Sequence, residues 1–97
     1  MKKRREYYVY IFTNEYNSVF YIGVTNSIYK RGFEHRVGLL DGFTKKYKLK
    51  KLVYIEGYTD INEAISREKQ LKNWHRPWKI NLIKKVNPSF EDLYILS

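Results

Sequence analysis

The sequence predicts an α+β domain with elements in the order β-β-α-β-α-α, and three features carry that expectation. Residues 7–13 and 18–24 are short runs rich in β-branched and aromatic side chains, with period-two alternation and a polar connector between them, as in a β-hairpin. A later run of the same kind, "KLVYIEGY" at residues 51–58, supplies a third strand. Stretches after the second and third runs open on capping residues, as helices do.

The hairpin comes first. Asn14, Glu15, Tyr16, Asn17 and Ser18 carry turn chemistry, and pairing Thr13 with Ser18 around a four-residue loop sets Tyr10 opposite Tyr21. Alternation then places Val9, Ile11, Phe20 and Ile22 on one face, the expected core. Tyr8, Tyr10, Val19, Tyr21 and Gly23 fall on the other, expected to be half-open and tyrosine-rich. Thr25, Asn26 and Ser27 suit the start of a helix from about residue 27 to 40, ended near Asp41-Gly42. Asp60 can cap a second helix running to about Trp74, with Glu63 placed favourably in its first turn. Pro77 suits the first turn of a short third helix, where its missing N–H costs nothing.

A length of 97 residues fits one domain spanning 1–97, with a thin core in which each aromatic counts. Lysines and arginines number 19 against 10 acidic residues, a formal charge of +9. That excess favours a polyanionic partner, nucleic acid before an anionic membrane surface, beside the plainer reading of a basic soluble surface. The chain has no cysteine, which excludes disulfides, thiolate zinc sites and a cysteine nucleophile. Thr13, Asn14 and Glu15 interrupt the apolar run of the basic N-terminus too early for a signal peptide. No segment approaches the ~18 apolar residues that span a bilayer. The expectation is a soluble cytoplasmic protein with no membrane partner.

Several residues depart from a plain structural pattern. The second helix carries an apolar stripe of Ile61, Ala64, Ile65, Leu71 and Trp74, interrupted by Glu68 where an apolar residue belongs. A carboxylate there needs a cationic partner, as a structural ion pair, or lines a cleft and holds a divalent cation. Arg31 and His35 are four apart and share one face of the first helix with Ile28 and Leu39, a face expected to turn inward. The arginine fork matches phosphate oxygens; the histidine is structural or catalytic. Lys45, Lys46, Lys48, Lys50 and Lys51 crowd one loop and strand edge beside Phe43 and Tyr47, and Lys69, Lys72, Arg76 and Lys79 follow. Of these, Lys45, Lys46, Lys48, Lys72 and Arg76 are the candidate nucleic-acid contacts, with edge-strand protection as the alternative role for the lysines of the loop.

Taken in order and spacing, Tyr8-Val9-Tyr10, Tyr21-Ile22-Gly23, Arg31, His35 and Glu68 resemble the GIY-YIG endonuclease superfamily. The likeness covers nearly the whole chain and is nearest to the small stand-alone bacterial members, whose signature "FTKKYKLKKLVYIEGYTDINEAISREKQLKNWHR" and "NPSFEDL" also resemble. It implies a three-stranded antiparallel sheet flanked by helices, and hydrolysis of DNA phosphodiesters with one divalent ion, Mg²⁺ or Mn²⁺. It also implies roles: Tyr10 and Tyr21 as the motif tyrosines, Arg31 as the family arginine, Glu68 as the metal-binding carboxylate. His35 matches a position often basic or hydroxylated, and Gly23 and Asn87 are expected to support the site. Tyr8 stands where the first motif's name has glycine. A tyrosine of ordinary pKa near ~10 is ionised in only about one molecule in a thousand at pH 7, so Tyr10 as a base needs a shifted pKa or proton transfer coupled to attack. Substrate structure is left open, RNA and a specificity-giving protein partner included. Two other readings stand beside the nuclease: a nucleic-acid-binding module without turnover, and an interaction domain in which Glu68 pairs with Arg31.

Overall fold

The computed structural model describes residues 5–39 and 42–96. In chain order they form β1 (Tyr7–Thr13), β2 (Phe20–Thr25), α1 (Ile28–Val37), the single-turn α2 (Phe43–Lys46), β3 (Lys51–Tyr58), α3 (Ile61–Asn73), α4 (Arg76–Val86) and a closing 3₁₀ turn (Leu93–Leu96). The expected α+β order is present. The short α2 and the 3₁₀ turn are additions, too brief to leave a periodic signal. No helix among the described residues is long and apolar enough to cross a membrane.

The strands make one antiparallel sheet in the order β2-β1-β3. Central β1 is therefore paired along both edges, and with a core cluster on each face its residues 9–13 are all buried. One face joins Val9, Ile11 and Ile22 to Ala64 and Leu71 of α3 and Ile83 of α4. The other joins Tyr10 and Phe12 to Leu49 and Leu52, with Tyr21, Ile28 and Tyr94 packed against them. The division of faces is as expected, but the tyrosine face is not half-open: Tyr10 is wholly buried.

The hairpin register differs from the expected one by two residues. Thr13 pairs with Phe20, and Tyr10 lies opposite Gly23 rather than Tyr21. Side chains of the connector are the cause. Asn14 Oδ1 accepts the Ser18 N–H at 2.8 Å, and Asn14 Nδ2 donates to Ser18 Oγ at 2.7 Å. Thr13 Oγ1 donates to the Val19 carbonyl at 2.6 Å, and Asn17 turns the chain at φ 55. Ser18 and Val19 are thus held by the loop and not by the ladder. A two-residue slip keeps every side chain on its own face, which is why the face assignment survives.

Ser27 and Asp60 cap α1 and α3 as expected, through Lys30 N–H at 3.2 Å and Asn62 N–H at 2.9 Å. Helix α1 ends earlier than the expected Asp41-Gly42, because Gly38 adopts the left-handed conformation at φ 73 and its N–H returns to the Glu34 and His35 carbonyls. Leu40 and Asp41 lie outside the described residues, and Leu39 is exposed rather than turned inward.

Helix α3 is rotated from its expected setting. Ala64 and Leu71 are fully buried, whereas Ile61 and Ile65 are exposed at 37% and 38%. The rotation follows from Arg67, which donates through Nε and Nη2 to Glu56 of β3 at 3.0 Å each, while Tyr54 and Tyr58 also donate to that carboxylate. At about 100° per residue, drawing Arg67 onto the sheet swings the two isoleucines outward and moves Glu68 from the centre of the buried face to its edge.

The end of the chain ties α1 to β3. Asn87 is buried, donating to the Val53 and Glu91 carbonyls at 3.0 and 2.9 Å and accepting from Glu91 N–H at 3.0 Å. Asp92 accepts from the N–H groups of Leu52 and Tyr94 at 3.1 and 3.0 Å and pairs with Arg36 of α1. The Tyr94 ring lies so close to Gly32 that a Cβ there would stand 2.4 Å from it.

A second glycine makes room in the same way. The Tyr10 phenol crosses β2 above Gly23, where a Cβ would stand 2.3 Å from the hydroxyl. Gly23→Ala is expected to cost about 1–3 kcal/mol in urea unfolding, the usual cost of overpacking. It should also shift the ultraviolet titration of Tyr10, because the ring has to leave its place. An unchanged midpoint together with an unchanged titration would show that the ring is not confined there.

Candidate active site

Tyr10 is the meeting point of β1, β2 and α1. Its ring centroid lies 6.3 Å from that of Tyr21 and 6.0 Å from that of His35, and the Tyr21 and His35 centroids are 5.8 Å apart. Arg31 Nη1 donates to the Tyr10 hydroxyl at 2.9 Å. Arg31 Nε lies 3.1 Å from Glu34 Oε1, close enough for an ion pair but without the alignment of a hydrogen bond. Charge is thereby balanced locally. The remaining donors of the guanidinium have no partner among the described residues.

Burial pushes the Tyr10 hydroxyl up to about 12; the Arg31 charge pulls it down without overcoming burial, and Tyr21 and Glu68 add to the rise. At pH 7 only on the order of one molecule in a hundred thousand then carries a phenolate. Without a bound cation or phosphate, the Tyr10 side chain is a neutral phenol at pH 7.

His35 is buried and stacks on Phe12, with ring centroids 3.7 Å apart and 2° between the planes. Its Nδ1 lies 2.7 Å from the Leu49 carbonyl oxygen. A carbonyl only accepts, so Nδ1 carries the proton and Nε2 holds the lone pair. Nε2 is buried without a hydrogen-bond partner. Burial holds the imidazole below its ordinary pKa of 6.5; the Leu49 contact opposes this, and the Arg31 charge reinforces it. His35 is a neutral base at pH 7.

Glu68 faces the cluster from α3, near enough for its charge to raise the Tyr10 pKa. Its partner is Lys72, one turn on at 3.5 Å, and not Arg31. The Lys72 side chain is 51% exposed, so this pair is worth little and leaves the carboxylate free to accept another cation. No three His, Asp or Glu side chains among the described residues cluster as a metal cage. A single accessible carboxylate matches Mg²⁺, which keeps several waters and takes one or two carboxylates with substrate phosphates.

The candidate nucleic-acid contacts divide into two groups. Lys45 and Lys48 line a cleft of about 320 Å³ together with Glu34, His35 and Lys50. Lys46 lies 5.5 Å from the centroid of the Tyr47 ring. Lys72 is paired with Glu68, and Arg76 donates to the Asn17 carbonyl at 3.1 Å while covering the Phe20 ring. Arg76 thus fastens the hairpin loop. Gly23 supports the site by making room for Tyr10, whereas Asn87 holds β3 and the C-terminal turn and makes no hydrogen bond to the other site residues.

Two site residues had no place in the sequence reading. Glu34 stands three residues after Arg31, a spacing that signals a helical ion pair. The Leu49 carbonyl fixes the His35 tautomer, and a backbone acceptor leaves no trace in residue identity.

Residues 6–81 match the GIY-YIG catalytic domain family. A UPF0213 protein of Staphylococcus haemolyticus is 32% identical over 80 residues, covering 82% of this chain and 96% of that protein. A UPF0213 protein of Syntrophus aciditrophicus is 37% identical over 82 residues, covering 84% and 92%. The solution NMR structure of a UPF0213 protein from Bacillus halodurans aligns with a TM-score of 0.57 at 26% identity, covering 94% of this chain and 96% of that one. With the tyrosines, arginine and glutamate of the motif set around one buried phenol, this chain belongs to the GIY-YIG family of nuclease-type catalytic domains.

Proposed function

We propose that the protein is an endonuclease that hydrolyses DNA phosphodiester bonds with the help of one divalent ion. The observation that carries this reading is the hydrogen bond from Arg31 to the buried Tyr10 hydroxyl, beside a neutral histidine and an accessible carboxylate. A neutral phenol is a poor standing base, so Tyr10 works by exchange: it takes a proton from the attacking water as it gives up its own. His35 Nε2, which is neutral and unpartnered, is the acceptor available for that second proton.

Tyr21 orients the water or the phosphate. Its hydroxyl makes no hydrogen bond to the described residues. The free donors of Arg31 face the developing charge on the phosphoryl oxygens, where a guanidinium held in advance does most for a transition state. Glu68 would hold the Mg²⁺ or Mn²⁺ ion, and the bound ion would supply charge neutralisation at the scissile phosphate. Nothing in the set reads a base, so cleavage directed by substrate structure, or only weakly by sequence, suits it best.

A labelled panel of duplex, single-stranded, flap and junction DNA, with RNA alongside, tests the reading in Mg²⁺ or Mn²⁺ against an EDTA control. Wild type is expected to cut at least one substrate only with metal, and Glu68→Ala to lose at least about a hundredfold while melting at the wild-type temperature. Wild-type cleavage by Glu68→Ala would remove the carboxylate from the mechanism. Binding without cutting by wild type would favour the module that does not turn over.

The histidine gives a pH test with a definite sign. Its pKa is held below 6.5, so kcat/KM is expected to fall on an acid limb centred below that value, and His35→Gln should lack this limb. The same shift links to folding. Unfolded chains bind a proton from pH 6.5 downward before folded ones do, so stability is complete above 6.5 and declines as pH falls towards the folded-state pKa. Thermal melts of wild type and His35→Gln at pH 7.5 and 5.5 check this, the wild type losing more. Equal losses would mean that His35 is not buried neutral.

A further inference from the structure

A cleft of about 460 Å³ opens between the hairpin loop and residues 47–51 and contains none of Tyr10, Tyr21, Arg31 or Glu68. Its volume falls within the range of small-ligand sites. Lys48, Lys50 and Lys51 line it with Tyr16 and Tyr47. None of the three ammonium groups is ion-paired among the described residues. Two acids, Glu15 and Asp92, also border it, but Asp92 is already paired with Arg36. One carboxylate against three free ammonium groups leaves the cleft cationic. The tyrosines are accessible, at 80% exposure for Tyr16 and 41% for Tyr47.

Lys48 and Lys50 also line the cleft that holds His35, so the two concavities meet across these lysines. Along α1 the distance is short: Arg31 and Arg36 are five residues apart, about 7.5 Å of helix. Anything lying over Lys48 and Lys50 runs from the candidate active site into the tyrosine-lined cleft.

We infer that this cleft holds an unpaired nucleotide of the nucleic-acid strand next to the cutting site, its phosphate on Lys48, Lys50 and Lys51 and its base against Tyr16 and Tyr47. Free cations beside aromatic faces are the combination that binds single strands, whose bases are available for stacking. A duplex keeps its bases inside the stack and presents its phosphates outward, so tyrosine rings placed for stacking add little to duplex binding. An anionic lipid surface would use the charge but not the concavity. The inference rests on the nucleic-acid reading above and gives the substrate an unpaired segment beside the cut.

Binding without cleavage tests it. Fluorescence anisotropy in EDTA compares a labelled oligothymidylate of about eight nucleotides, a length within single-strand site sizes, with a hairpin duplex of equal charge. Wild type, Tyr16→Ala and a Lys48→Ala/Lys50→Ala/Lys51→Ala triple variant are measured across a salt series. These positions are exposed or at the strand edge, and far-UV circular dichroism confirms that the variants fold. Tyr16→Ala is expected to weaken oligothymidylate about tenfold, the lower end for one stacked base, and to leave the duplex unchanged. The triple variant should lower the single-strand salt slope by about 0.7, the value for one lost phosphate contact. Wild type that does not bind the oligonucleotide, or variants that weaken both ligands by one factor, would overturn the cleft. A protein that binds as expected yet never cuts would instead overturn the nuclease reading and leave the cleft standing.

Discussion

A phenol hydroxyl buried at the centre of a three-stranded sheet needs a partner, and Arg31 is that partner for Tyr10. Left unpaired, such a group costs about 1–3 kcal/mol, a large part of what a domain this small can spare. Much of the remaining architecture keeps that one hydrogen bond in place. Gly23 clears the path of the ring, and Glu34 holds the other side of the guanidinium. Helix α1 must also sit at a fixed height over the sheet. The closing turn sets it there, with Tyr94 against Gly32 and Asp92 bridging Arg36 to the backbone of β3.

The same burial fixes the protonation states. It drives the tyrosine pKa up and the histidine pKa down, since in both cases the charged form loses its water. Two groups of nominally different acidity are thus both neutral at pH 7, with a permanent cation hydrogen-bonded to the phenol. A standing phenolate would need charge compensation larger than Arg31 provides here.

The elements and faces were legible because they rest on local rules: period-two alternation for the strands, Ser27 and Asp60 for the helix starts, Pro77 for the last helix. What the sequence concealed rests on pairings between distant residues, or between loop side chains. The Asn14–Ser18 bonds moved the hairpin register by two positions. The Arg67–Glu56 pair turned α3 and put Ile61 and Ile65 in solvent, against the pattern of their spacing. For the candidate site, the motif positions of Tyr10, Tyr21, Arg31, His35 and Glu68 were legible, but their grouping around a fully buried hydroxyl was not. The tautomer of His35 depends on the Leu49 carbonyl, and any residue at position 49 offers the same oxygen.

The rotation of α3 bears directly on the chemistry. A glutamate at the centre of the packed face would need a buried partner and could not reach solvent. Because Arg67 takes the inward position and satisfies Glu56, Tyr54 and Tyr58 lean on the same carboxylate, and Glu68 is left at the margin of the sheet, one-fifth exposed. The charge that fastens α3 to β3 and the motif carboxylate are adjacent on the helix. The Arg67–Glu56 pair anchors α3 to the far strand, and the carboxylate beside it stays available to the tyrosine face. In a chain of 97 residues with one core cluster on each side of a single sheet, the second cluster also holds the motif tyrosines. The α3–α4 face carries neither motif tyrosine and packs Val9, Ile11 and Ile22 against Ala64, Leu71 and Ile83, while the motif face is itself a packed core of Tyr10, Phe12, Leu49 and Leu52.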